Sequence, residues 1–373
     1  MKITINTKLL TEKIQLASNT LDTSGLNPIL AGILFNVGNS SITLISSNNN
    51  CYSQINIDKD LKIESEGKFL VKGKMILDIL SNLKSNEVTL EIIDESVLRI
   101  YNDTFSCNLN ILDVNSYPTI SFYYTDWLKF TLSNSFVKKI NNKLSNFVAT
   151  TIGSNNVLTG ICIDSNNENN LIKAVATDSF HLAFYQEDYN GPKFKFVIDT
   201  KILNFLNNLI ENNKGNEIFF WFNSGKLIIE CNRNLFFFKL SENEYPSVYK
   251  TLESNYTNSF EVNKSQLNDA LNRALPLIQN DKNSTVRIAI SNDKISISTK
   301  SIEFGDTFEE IEITNTNISG EFEFLLNIRF LNHILKVFDD QVVTFNFTCN
   351  NRPILITNKK DNNLKFLVLP LRN

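Results

Sequence analysis

The sequence predicts an α+β chain of three tandem domains, each made of two related halves. In each half a short strand runs into an amphipathic helix and then into further antiparallel strands, with the helices confined to one face. A sixfold repeat, its spacing and its apolar register carry the prediction. The repeat units start at Lys2, Lys68, Lys129, Lys195, Ser259 and Glu323. Successive starts differ by 66, 61, 66, 64 and 64 residues, so alternate units recur every 127 to 130. The second unit position is always apolar (Ile3, Phe69, Phe130, Phe196, Phe260, Phe324). So are the fourth (Ile5, Val71, Leu132, Ile198, Val262, Leu326) and the ninth (Leu10, Ile76, Val137, Leu203, Leu267, Leu331). Alternation followed by helical spacing, repeated six times, is the signature of a duplicated architecture.

Taken in order, helices are expected over Thr7–Thr20, Lys72–Lys84, Asn134–Val148, Thr200–Lys214, Asn263–Leu275 and Asn327–Phe338. Thr7, Asn134, Thr200, Asn263 and Asn327 supply side-chain acceptors for the first amides. Pro276 is expected to end the fifth helix, because a proline has no N–H to continue the ladder. Strand-rich runs follow each second helix: EVTLEII and VLRIYN, EIFFWF and KLIIEC, QVVTFNFTC and ILITN. Asn223-Ser224-Gly225 has turn chemistry between two of them. Polar linkers near Ser121–Asp126 and Ser254–Asn258 divide the chain into domains 1–123, 124–254 and 255–373.

Composition excludes several classes. The chain has 373 residues, ample for two or three cores, and is 42% hydrophobic and 20% charged. It contains no apolar run of membrane-spanning length and no signal-peptide pattern over Met1–Leu10, which leads us to expect a cytoplasmic protein without a membrane partner. Five scattered cysteines without a C-x-x-C pair argue against a disulfide framework and a zinc site; they read as small apolar residues of strands. His181 and His333 do not form a metal-ligand pattern, and neither a P-loop nor a Gly-x-Ser-x-Gly elbow is present. Asp178 reads as a turn-capping residue. No catalytic residue, metal or cofactor is expected.

Net charge is only −4, but it is unevenly distributed. The six helical windows hold fourteen Lys or Arg and four acids, whereas the rest of the chain holds 22 bases and 36 acids. Eleven helix residues are candidates to face phosphate: Lys8, Lys13, Lys74, Lys138, Lys139, Lys143, Lys201, Lys264, Arg273, Arg329 and Lys336. Solvated helix faces favour lysine anyway, so the imbalance carries weight only because six related helices share it. Were six helices packed about 10 Å apart to close a ring, their axes would lie on a circle roughly 19 Å across, with almost no hole. Twelve would lie on a circle of roughly 38 Å and leave a hole of about 28 Å, wide enough for duplex DNA. A ring around DNA therefore requires two copies of this chain, head to tail. A structural repeat protein that binds no DNA is the alternative.

Four local segments make the resemblance specific: NPILAGILFNV at Asn27–Val37, VATDSFHLAFYQ at Val175–Gln186, EYPSVYK at Glu244–Lys250 and FLVLPLRN at Phe366–Asn373. In this order on a three-domain repeat, the chain resembles the bacterial DNA polymerase III beta-subunit (sliding clamp) family over its whole length. The resemblance implies DNA-clamp domains, with helices lining a ring and antiparallel sheets outside. It also implies a homodimer encircling duplex DNA without sequence preference and conferring processivity on the replicative polymerase, with polymerase activity belonging to the partner. It further implies a groove that docks the polymerase III alpha-type subunit, the clamp loader and other proteins with clamp-binding motifs. Carried over residue by residue, Leu158, Thr177, Ser179, Phe180, His181 and Leu182 form the groove wall, Pro246, Lys250 and Thr251 flank it, and Leu367, Leu369, Pro370, Leu371 and Arg372 close it. An apolar slot with a few polar groups suits Leu or Phe anchors of a peptide. Phe105 against Leu277 is the implied subunit contact.

The chain departs from the family at three places. Ser179-Phe180-His181 replaces Gly-His-Arg, so a guanidinium is missing from the groove. Ser24 replaces a basic residue of the first-domain loop, and Asn156-Val157 replaces aromatics before Leu158.

Overall fold

All eighteen repeat positions are buried, so the register read from the sequence is the register of the cores. The computed structural model describes residues 1–373 except 119–122, 151–155, 166–168, 214, 282, 292, 319 and 372–373. The predicted ends at Lys214 and Arg372, and the start of the linker at Ser121, lie outside the described residues.

The α-helices among the described residues are α1 (Thr7–Ser18), α2 (Gly73–Ser81), α3 (Asn134–Leu144), α4 (Thr200–Asn212), the short α5 (Tyr249–Leu252), α6 (Lys264–Ile278) and α7 (Ile328–Val337). All but α5 are the repeat helices. Three caps lie one residue earlier than expected. Asn6 Oδ1 accepts from the Leu9 amide, Ser133 Oγ from Phe136 and Asp199 Oδ1 from Lys201, in place of Thr7, Asn134 and Thr200. Asn263 and Asn327 cap α6 and α7 as expected. The preference is physical: the cap must have non-helical backbone, so the extended residue just before the first helical one takes the role.

Pro276 does not end its helix; α6 runs on to Ile278. In the last turn proline removes one amide, while the apolar face of Leu267, Leu271, Ala274 and Ile278 remains buried and holds the final residues.

Every strand pairing is antiparallel. Five strands form one sheet in the order Leu61–Ser65, Lys2–Asn6, Glu87–Ile93, Val97–Tyr101, Ser106–Asn110. An eight-stranded sheet runs Leu128–Thr131, Ile218–Asn223, Lys226–Cys231, Asn234–Lys239, Cys51–Ile57, Ile42–Ser47, Gly32–Val37, Gly67–Lys72. Its first turn is the two-residue Ser224-Gly225 hairpin, with φ of 40° and 74°, the left-handed pair that matches strand twist. A twelve-stranded sheet runs Lys195–Asp199, Gly160–Asp164, Leu171–Thr177, His181–Asp188, Leu364–Val368, Ile354–Thr357, Val342–Phe347, Asn258–Asn263, Gly305–Asn317, Lys294–Ser301, Thr285–Ser291, Phe322–Asn327.

The sheets do not stop at the linkers. Strand Asn234–Lys239 pairs with Cys51–Ile57, and His181–Asp188 pairs with Leu364–Val368. The compact units are accordingly Met1–Leu132 with Leu209–Leu240, and Ser133–Asn208 with Ser241–Asn373. In the first unit α1 packs on α2 and on strands Ile42–Ser47 and Cys51–Ile57. In the second, α6 packs on α7 and on strand Lys294–Ser301, and α3 packs on His181–Asp188.

The cysteines are free thiols; Cys162 and Cys231 are buried in strands, but Cys349 is exposed in a turn and does not fit the strand reading.

Candidate functional site

Strands Leu171–Thr177 and His181–Asp188 are joined by a tight turn that one carboxylate organises. Asp178 Oδ1 accepts from the Phe180 amide at 2.8 Å, the His181 amide at 2.9 Å and His181 Nδ1 at 2.8 Å. Thr177 Oγ1 donates to the His181 carbonyl at 2.7 Å and accepts from the Ser179 amide at 3.1 Å. Ser179 is left-handed at φ 80°. The Asp178 carboxyl is pushed up by burial, yet the hydrogen bonds from His181 and Phe180 prevail and hold it below its ordinary value.

On the next residues the strand delivers Leu182 into an apolar cluster with Leu158 and Leu367. Leu182 is in register with Leu367, and Leu367 with Leu355. Val157, Cys162, Val175, Phe184, Val197, Tyr245, Leu252 and Leu355 complete the buried set, and Val248, Tyr249 and Tyr256 are among the half-buried residues packed on it. Three residues expected in the groove thus meet on one face of the sheet.

The flanking residues sit at its edge. Pro246 and Lys250 are exposed and Thr251 is half-buried, its carbonyl accepting from Tyr256 Oη at 2.7 Å. Leu369 is partly exposed, and its amide donates to the Phe180 carbonyl at 2.9 Å. Leu371 donates to the Leu325 carbonyl at 2.7 Å, and Pro370 between them is half-buried.

Two expected wall residues take other positions. Phe180 is 57% exposed at the tip of the turn. His181, 4% exposed, points to the face opposite Leu182, as strand alternation requires. Its ring stacks 4.2 Å from Phe330 and lies 4.8 Å from Phe147 and 5.9 Å from His333. It therefore does not join the Leu158, Leu182, Leu367 cluster. Burial, together with His181 and Lys336, holds the His333 imidazole below its ordinary pKa.

Sequence reasoning missed Val175, Tyr245, Leu252 and Leu355. Tyr245 and Leu252 bracket the Pro246–Thr251 segment and were findable from its apolar ends. Leu355 lies in the unbroken run Ile354–Thr357, where no alternation marks which side chain turns to the cluster.

The repeat helices carry eleven basic and four acidic residues, and many of the cations are already engaged. Lys139 donates to Tyr185 Oη at 2.8 Å; Lys143 pairs with Asp339 at 2.9 Å and donates to the Val337 carbonyl. Lys264 donates to the Phe338 carbonyl at 2.7 Å, and Arg329 to that of Gln279 at 2.6 Å. Arg273 pairs with Glu309. Lys13 is half-buried, and burial lowers its ammonium pKa. Lys8, Lys74, Lys138, Lys201 and Lys336 form no ion pair among the described residues, and all but the half-buried Lys138 are exposed. Phe105 and Leu277 are each half-buried.

Among the described residues no group of three or more His, Cys, Asp or Glu could hold a metal, and no helix is long and apolar enough to cross a membrane. Three duplicated domains, cationic helices and a buried apolar cluster beside a pinned C-terminal segment are the features of a binding protein of the DNA-clamp class.

Comparisons with known proteins give the family. Residues 1–121 match the N-terminal domain of the DNA polymerase III beta subunit, 131–247 its central domain and 250–372 its C-terminal domain. The beta sliding clamp of Mycoplasma genitalium is 23% identical with both chains fully covered, and that of Staphylococcus aureus 26% identical with 92% of each covered. The crystal structure of a DNA polymerase III beta chain from Streptococcus pneumoniae superimposes with a TM-score of 0.91 at 22% identity, covering both chains fully. The sliding clamp of Bacillus subtilis gives 0.88 at 23%, covering 100% of this chain and 99% of that one. The chain belongs to the bacterial DNA polymerase III beta-subunit family, and it is a DNA sliding clamp. It is a non-catalytic processivity factor, and family membership makes DNA and the polymerase its partners.

Proposed function

We propose that two copies of this chain close head to tail into a ring around duplex DNA, each copy divided at 1–123, 124–254 and 255–373. The groove then docks short apolar motifs of the polymerase III alpha-type subunit, the clamp loader and other clamp-binding proteins in the cytoplasm. The observation that carries the groove is the meeting of Leu158, Leu182 and Leu367 in one apolar cluster beside the Leu369–Leu371 segment.

Two open strand edges support the dimer. Among the described residues, Ser106–Asn110 is paired on one side only, and so is the stretch 305–312. Ile302, Phe304 and Phe308 are exposed beside the second edge, and Phe105 adjoins the first. Edges with exposed apolar side chains are templates for pairing with another chain. The DNA contact assigned to Lys8, Lys74, Lys138, Lys201 and Lys336 is electrostatic and sequence-independent.

Deleting Leu369–Asn373 tests the groove. Sedimentation is expected to show a dimer for both full chain and deletion, with binding of a labelled polymerase-derived peptide lost only in the deletion. Unchanged peptide affinity would misplace the groove, and a monomer at all concentrations would remove the ring.

A further inference from the structure

We infer that Asp178 is the positioning residue of the partner groove: its Oδ1 fixes the Thr177–His181 turn so that the Phe180 carbonyl receives the Leu369 amide and holds the closing segment in place. This rests on the groove reading above. The hydrogen bonds of Asp178 go to the Phe180 and His181 amides and the His181 ring, so its role is exerted through the turn.

The chain of contacts is continuous. One oxygen of Asp178 gathers two backbone amides and the His181 ring nitrogen, all at 2.8 to 2.9 Å. Those bonds orient the peptide unit on either side of Phe180. Its carbonyl accepts from Leu369 at 2.9 Å. Proline at 370 has no amide to give, so the segment is next held only at Leu371, through the Leu325 carbonyl. Without the Phe180 contact, the stretch between Val368 and Leu371 has no other backbone anchor among the described residues. A carboxylate oxygen is well suited to the task, because charge-assisted hydrogen bonds to backbone amides are the stronger kind.

The turn is also under backbone strain that it must resist. Ser179 at φ 80° is in the left-handed region, which disfavours a residue with a Cβ. The Thr177 and Asp178 bonds on either side hold it there. His181 is in turn clamped by Phe330 and Phe147, which keeps Nδ1 within reach of the carboxylate.

The test compares Asp178→Ala with Asp178→Asn in the full-length dimer. Asparagine keeps an acceptor oxygen at the Oδ1 position; alanine does not. We expect Asp178→Ala to raise hydrogen exchange at the Leu369 amide while Phe366, paired in the strand with Ala183, stays protected. We expect the same variant to weaken a fluorescein-labelled decapeptide from the polymerase partner, carrying Leu and Phe, about tenfold, the factor for losing one net hydrogen bond's worth of order. Asp178→Asn is expected to restore most of both. Unchanged exchange at Leu369 in Asp178→Ala overturns the proposal, and so does raised exchange with unchanged peptide affinity. If Leu182→Asp leaves peptide affinity intact, the groove reading falls and the proposal with it; affinity lost in Leu182→Asp but kept in Asp178→Ala overturns the positioning role alone.

Discussion

Leu182 and Leu367 face each other across adjacent antiparallel strands, and each is only 5% exposed. One comes from the middle of the chain and the other from its end, so their contact ties the central repeat to the last one. Truncating either to alanine is expected to cost about 2–4 kcal/mol, as for buried leucines generally. Because they share one cluster, the double variant is expected to lose less than the sum. Urea unfolding of the four proteins checks this; strict additivity would place them in separate environments.

The left-handed Ser179 gives a second expectation. Ser179→Gly removes the Cβ that disfavours φ 80° and is expected to stabilise the protein by about 0.5–1 kcal/mol, less whatever glycine adds to unfolded-chain entropy. The midpoint in urea is the readout. A clear loss of stability would mean that the turn is held by the serine side chain.

How much of this was legible in the sequence depended on locality. The eighteen buried repeat positions could be read because each is set by its neighbours three to nine residues away. Caps at Asn6, Ser133 and Asp199 are displaced by one residue, since strand and helix compete for the junction. The pairing of Tyr52 with Phe237, and of Leu182 with Leu367, leaves no local mark, so the continuity of sheets across the linkers emerges only in the fold. The motif puts His181 in the groove; the two-residue period of its strand turns it to the other face.

Lysines differ in availability, and salt dependence exposes the difference. Replacing Lys8, Lys74, Lys138, Lys201 and Lys336 with glutamine is expected to flatten the plot of log affinity for DNA against log salt by about 0.9 for each phosphate no longer neutralised. Lys143→Gln is expected to change that slope little, because its ammonium already bonds to Asp339 and the Val337 carbonyl. Equal slopes for the fivefold variant and the unaltered protein would exclude these lysines from the DNA-facing surface.

Acid sensitivity follows from His333. Its folded pKa lies below the ordinary 6.5, principally because burial disfavours the charged ring. Below 6.5 the unfolded chain takes up the proton more readily, so stability is lost as pH falls from about 6.5 towards the folded value. The depressed Asp178 carboxyl acts in the same direction at lower pH, with stability lost as pH falls through its folded pKa. Thermal unfolding is expected to show a lower midpoint at pH 5.5 than at pH 7.5, with the decline reduced in His333→Gln. An unchanged decline in that variant would assign the sensitivity to other groups.

The central claim is that this chain holds DNA by encirclement and not by affinity. Loaded onto a nicked circular duplex and then passed through a sizing column, the protein is predicted to remain with the circle and to be lost once a single cut makes the DNA linear. Equal retention on circular and linear DNA would contradict it.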